Sequence, residues 1–131
     1  MAAAAEKEKC VMVVGGEARL LALLRVNLEL EGLRVIEALN PAVAIGLLKK
    51  ERPDLIMLDI VVPEKDGIQA LKQLAGADEF ARIPVILLAA RGGREELARE
   101  AALGARGHIT KPFDTEQMVR TVKAALGIIR R

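Results

Sequence analysis

The feature that most constrains this chain is a repeated change of hydrophobic period. Unbroken apolar runs of strand length, CVMVV, LIML and VILLA, are each followed by a segment whose apolar residues recur every three to four positions. An apolar run without polar alternation is buried on both faces, the situation of a strand in a parallel sheet with helices on either side. Five strand and helix pairs follow one another, so the fold class is expected to be α/β with a parallel sheet and crossover helices.

The strands are expected over 10–14, 33–38, 55–58, 85–89 and 108–110. Cys10 should be the buried first residue of an internal strand. The first helix runs over about 17–31 on the spacing of Leu20, Leu21, Leu24 and Leu28, and Gly32 stops it in the left-handed position past its end. Arg34 and Glu37 interrupt the second strand, which assigns it to a sheet edge. Asn40 then caps a helix with Pro41 at its first position. Further helices are expected over about 68–74 and 95–103, the second stopped by Gly104. Asp114 and Gln117 read as a capping box for a last helix with Met118, Val122, Ala125 and Ile129 as its inner stripe. The domain is expected over 10–127, between a flexible leader, 1–9, and a terminal stretch, 128–131, that is the end of the last helix or a tail.

Composition excludes several classes. Of 131 residues 52% are apolar, which argues against disorder, and 20 basic against 18 acidic residues leave a net charge of +2, no footprint for nucleic acid. One cysteine and one histidine provide neither an internal disulfide nor a zinc ligand set. MAAAAEKEK puts charges where a signal peptide is apolar, and no run approaches the roughly 20 apolar residues of a membrane span, so a cytoplasmic location is expected. With two Phe and neither Tyr nor Trp, the chain has no base-stacking platform and few aromatic anchors for a partner.

In open α/β sheets, ligands bind beyond the carboxyl ends of the strands. The residues there are Gly15, Gly16 and Glu17 after the first strand, Asp59 after the third, Ala89 at the fourth and Lys111 after the fifth. Asp59 ends an apolar strand, a costly place for a carboxylate unless a cation meets it, and Lys111 is the candidate. The loop LDIVVPEKDG, with its Pro and Gly, is expected to leave the acid exposed at the rim. Two readings of the pair stay open: a salt bridge tying strand ends, and a nucleophile that accepts a phosphoryl group while Lys111 neutralises the added charge. A dinucleotide fingerprint fails, because it needs glycine at Glu17 and Leu20, whereas a phosphate nest at the helix N-terminus stays open.

The segments LIMLDIVVPEKDG, PVILLAA and GARGHITKPF, with the fivefold alternation, resemble the receiver domains of two-component response regulators of the chemotaxis-regulator type, over nearly the whole chain. The resemblance implies a flavodoxin-like three-layer sandwich with strand order 2-1-3-4-5, two helices on one face and three on the other. It implies Asp59 as phospho-acceptor, Lys111 as its partner, and Mg²⁺ held by an acidic pair after the first strand, by Asp59 and by the backbone carbonyl of Val61. The acidic pair falls on Gly15 and Gly16, the family's switch hydroxyl on Ala89, and its aromatic switch, a ring that moves between buried and exposed states, on His108.

The expectation is therefore a signalling module, not an enzyme, with impaired phosphorylation and Mg²⁺ binding weak or absent. Its partner would be a histidine kinase or another signalling protein, with homodimers formed through the fourth helix, fifth strand and fifth helix, and with no nucleic acid or membrane contact. One alternative is a competent receiver in which Glu17 assists the metal, although an acid in the first helical turn also suits the helix dipole. The other is a module for a small phosphate ligand or a flavin, disfavoured for flavin by the lack of a ring to stack on it.

Overall fold

The computed structural model describes residues 8–59, 82–90 and 107–128. The elements are β1 (Cys10–Val14), α1 (Ala18–Glu29), β2 (Arg34–Ala38), α2 (Pro41–Glu51), β3 (Leu55–Asp59), β4 (Val85–Ala90), β5 (Gly107–Lys111) and α3 (Thr115–Ala125). The helices expected over 68–74 and 95–103 lie outside the described residues, as does Ile129. All four strand pairings are parallel and the order is β2-β1-β3-β4-β5.

Alternate residues of the inner strands feed two separate cores. Val11, Val13, Leu55, Met57, Ile86 and Leu88 face α1 and α3, and meet Leu21, Leu24, Leu28, Met118 and Val122. Met12, Val14, Ile56, Leu58, Val85 and Leu87 face the other way, against Ala44 and Leu48 of α2. Both faces of the sheet are covered, which is why these strands read as continuous apolar runs.

Helix ends follow local chemistry. The α1 helix is shorter than its apolar spacing suggests because a Schellman motif closes it: Leu33 N–H donates to the Leu28 carbonyl at 3.3 Å and Gly32 N–H to the Glu29 carbonyl at 3.0 Å, with Gly32 at φ +86°. The same pattern ends α3, where Gly127 at φ +80° follows the C-cap Leu126, with Gly127 N–H donating to the Ala124 carbonyl at 3.1 Å and Ile128 N–H to the Lys123 carbonyl at 2.8 Å. Asn40 Oδ1 accepts from Val43 N–H at 2.9 Å and Pro41 opens α2. Asp114 caps α3 through Glu116 N–H at 2.9 Å, one residue earlier than a capping box would.

The edge position of β2 agrees with its interrupted sequence. Arg34 Nη1 lies 3.0 Å from Glu51 Oε1 and Arg25 Nε 3.2 Å from Glu37 Oε2, so the two charges on β2 are tied to α2 and α1. At the opposite end of β1, Asp54 accepts the Cys10 N–H on Oδ2 at 2.8 Å and donates its own N–H to the Cys10 carbonyl at 2.7 Å, fixing where β1 meets β3.

Burial pushes the Cys10 thiol above its ordinary value; Arg34 opposes the shift, and Asp54, Glu51 and Glu8 add to it. The folded state keeps a proton that the unfolded chain releases, so this contribution to stability is complete below the ordinary thiol value of about 8.5 and declines as the pH rises from there through the folded value. Denaturant midpoints measured from about pH 7.5 to 10 should fall more steeply for wild type than for Cys10→Ala. Parallel profiles would mean that the thiol ionises alike in both states.

Candidate functional site

The site forms at the carboxyl ends of β1, β3 and β5. Asp59, the last residue of β3, stands in register with Leu88 of β4, and Lys111 ends β5 opposite Ala90. Lys111 reaches back across β4, and its Nζ donates to Asp59 Oδ1 at 2.7 Å. The Asp59 side chain is 1% exposed and that of Lys111 26%, so the lysine connects a buried anion to solvent.

The expectation of an acid exposed at the rim is thereby corrected. Asp59 is buried because Gly15 lies against it: a Cβ built at Gly15 would stand 2.8 Å from Asp59 Cβ, and 3.4 Å from both Asp59 Oδ2 and Leu21 Cδ2. The ends of β1 and β3 thus approach more closely than any side chain at Gly15 allows. Gly15 N–H also continues the ladder to the Ala38 carbonyl at 3.0 Å. Gly16 differs, being exposed, with nothing within 4 Å of a Cβ built on it. The sequence treats the two glycines as equivalent; only the fold separates a packing glycine from an open one.

Asp59 Oδ2 is buried and has no hydrogen-bond partner among the described residues. One carboxylate oxygen is held by a charge-assisted bond and the other is bare. Glu17 is the exposed N-cap of α1 in extended conformation and makes no side-chain cap bond, so it precedes the first helical turn instead of lying within it. Ala89 lies on β4 in register with Thr110, and His108 is exposed on β5 in register with Leu87. Val61 lies outside the described residues. The structure thus brings Gly15, Asp59 and Lys111 into contact. No group of three His, Cys, Asp or Glu side chains able to hold a metal is found among the described residues.

Residues 11–123 match the family model of the response regulator receiver domain. The phosphate regulon transcriptional regulatory protein PhoB of Rhizobium meliloti is 40% identical over 116 residues, covering 88% of this chain and 51% of PhoB. Protein PilH of Pseudomonas aeruginosa is 35% identical over 103 residues, 79% of this chain and 85% of PilH. The solved structure of the chemotaxis protein CheY4 of Vibrio cholerae is similar in fold with a TM-score of 0.81, at 23% identity, over 90% of this chain and 98% of that one. The chain spans about half the length of the PhoB relatives it matches. No helix among the described residues is long and apolar enough to cross a membrane.

Truncating either partner of the ion pair should give unequal results. Lys111→Met leaves a buried carboxylate unpaired and should cost about 3 kcal/mol, the lower end of the range for breaking a buried pair, because the lysine is partly solvated. Asp59→Asn removes the buried charge itself and should be mild or stabilising. Gly15→Ala should cost ~1–3 kcal/mol through overpacking, while Gly16→Ala should stay within about 0.5 kcal/mol. Urea denaturation of the four variants checks all of this; equal effects at the two glycines would remove the close approach of β1 and β3.

Proposed function

From the premise that the chain belongs to the response regulator receiver family, the modules of two-component signalling, we propose that it is a receiver, with its unit at 10–127, whose Mg²⁺-dependent phosphorylation at Asp59 is impaired. Its output is a protein contact. The observation that carries this reading is the charge balance at the strand ends: one carboxylate, one ammonium 2.7 Å away, and glycine at both positions where the resemblance implies acids.

A hard divalent cation takes oxygen ligands and dehydrates reluctantly, so it needs anionic groups to hold it. Asp59 and Lys111 together carry no net charge, Oδ2 is the one bare carboxylate oxygen there, and the adjacent glycines supply no side-chain donor. The described residues do not fit a resident Mg²⁺. Without one, attack of Asp59 Oδ2 on a phosphoryl donor, with release of the donor's leaving group, would turn the single carboxylate charge into an acyl phosphate of about −1.5 to −2 beside one ammonium, in a pocket that Gly15 closes. Both the charge and the access oppose transfer.

The response would also be weak if transfer occurred. Ala89 has no hydroxyl to bind the phosphoryl oxygens. A hydrogen bond to a charged group contributes about 1.5–3 kcal/mol, similar to the whole coupling of a typical allosteric switch. A ligand shifts a two-state equilibrium only by its differential interaction with the two states, and one such interaction is missing. The partner is accordingly a histidine kinase or another signalling protein bound without dependence on phosphate, through the family's surface of fourth helix, β5 and α3. The fourth helix lies outside the described residues.

Incubation with acetyl phosphate and Mg²⁺, read by intact mass, should leave the protein unmodified; gain of one phosphoryl group in wild type and not in Asp59→Asn would overturn the reading. Gly16→Asp, into open space, should strengthen Mg²⁺ binding, whereas Gly15→Asp should not, because its Cβ collides with Asp59. A metal titration followed by amide shifts distinguishes the two.

A further inference from the structure

Helix α1 carries a second apolar stripe that enters neither core formed by the described residues. Its inner face, Leu21, Leu24 and Leu28, is buried in the core. On the opposite side Leu23 is 45%, Val26 52% and Leu30, just past the helix, 78% exposed. With exposed Arg19 they occupy positions 19, 23, 26 and 30, the alternating spacing of four and three that makes a coiled-coil seam. Beside the end of this seam a groove of about 340 Å³ lies between α1 and α3, lined by Leu30 and Val119 and edged by Glu31, Glu116 and Arg120. A solvated helix face needs no such row of aliphatic side chains.

We propose that the seam docks a second copy of the chain, α1 against α1, antiparallel about a two-fold axis. Antiparallel seams set alternate seam positions against each other, so Leu23 of one copy packs on Val26 of the other, and Leu30 on the aliphatic stem of Arg19. The Arg19 guanidinium then reaches the C-terminal end of the other copy's α1. There it meets the exposed Glu29, whose side chain forms no ion pair among the described residues, and the negative end of the helix dipole. Parallel pairing would instead set Arg19 against Arg19. Charge therefore selects the antiparallel arrangement, which is self-complementary and closes at two copies. A contact built mainly on one helix is below the size of a standard stable interface, so the dimer is weak. This surface is distinct from the one proposed above for the signalling partner and does not depend on the state of Asp59.

Sedimentation equilibrium of the full chain from about 10 μM to 1 mM should show a monomer–dimer equilibrium with Kd inside that range. Leu23→Glu and Leu30→Glu should each weaken it by about tenfold or more, with unchanged circular dichroism as the check on folding. Arg19→Glu should weaken the dimer too, and adding Glu29→Arg should restore it, a rescue that non-specific stickiness does not give. A monomer at ~1 mM, which would leave the stripe to the helix of another protein, overturns the proposal. So does a dimer indifferent to Leu30→Glu, or one that the charge exchange fails to rescue.

Discussion

The buried ion pair between Asp59 and Lys111 is the interaction around which the carboxyl end of this sheet is arranged. Asp59 ends the central strand, covered on both faces and 1% exposed at its side chain, where an isolated carboxylate would be strongly disfavoured. Lys111 makes that position tolerable by crossing β4 from the edge strand β5, so a single charge contact spans three strands. Gly15 answers to the backbone of β3 and not to the pair: Asp59 Cβ stands where a side chain on β1 would need to be whichever way the carboxylate turns, and Oδ2 narrows the space further.

That close approach carries over into α1. The helix starts three residues after Gly15, and Leu21 in its second turn borders both the glycine and the core beneath it. Its position is thus fixed by the end of β1, by the inner stripe, and at its far end by the Schellman turn at Gly32. Lys123 of α3 adds an ion pair to Glu31 at 2.6 Å, tying the two helices of this face together. A helix held at both ends and along one side presents its outer residues as a preformed row, and a preformed surface loses less entropy on docking than a mobile one.

Much of this was legible in the sequence, for physical reasons. Strands buried on both faces are written as unbroken apolar runs, and β1, β3 and β4 fall where those runs lie. Edge strands carry charge, as Arg34 and Glu37 showed for β2. The Asp59 and Lys111 contact followed from the cost of a carboxylate at the end of an apolar strand. The burial of Asp59 did not, because it depends on the approach of Gly15, 44 positions earlier in the chain, and no local pattern encodes that. The Asp54 clamp on Cys10 was missed for the same reason. The outer stripe of α1 was present as spacing at Arg19, Leu23, Val26 and Leu30, but a helix with apolar residues on two sides does not say which side meets the sheet.

On the reading proposed above, Gly15 and Gly16 stand where the resemblance implies acids, and the site is neutralised in another way. A carboxylate added within about 4 Å of Asp59 would repel it by roughly 4 kcal/mol at an effective dielectric constant near 20, and a second acid would add to that. A site built from three acids is therefore unfavourable by itself and becomes stable only when a cation sits among them. Glycine at two of three such positions would remove the repulsion, leaving one anion for which one lysine suffices. The same change lets β1 close against β3, since glycine alone tolerates the 2.8 Å approach to Asp59 Cβ. On the reading proposed above, the weak hold on a metal and the burial of Asp59 have one physical origin: with glycine at position 15 the ends of β1 and β3 pack as ordinary protein interior does.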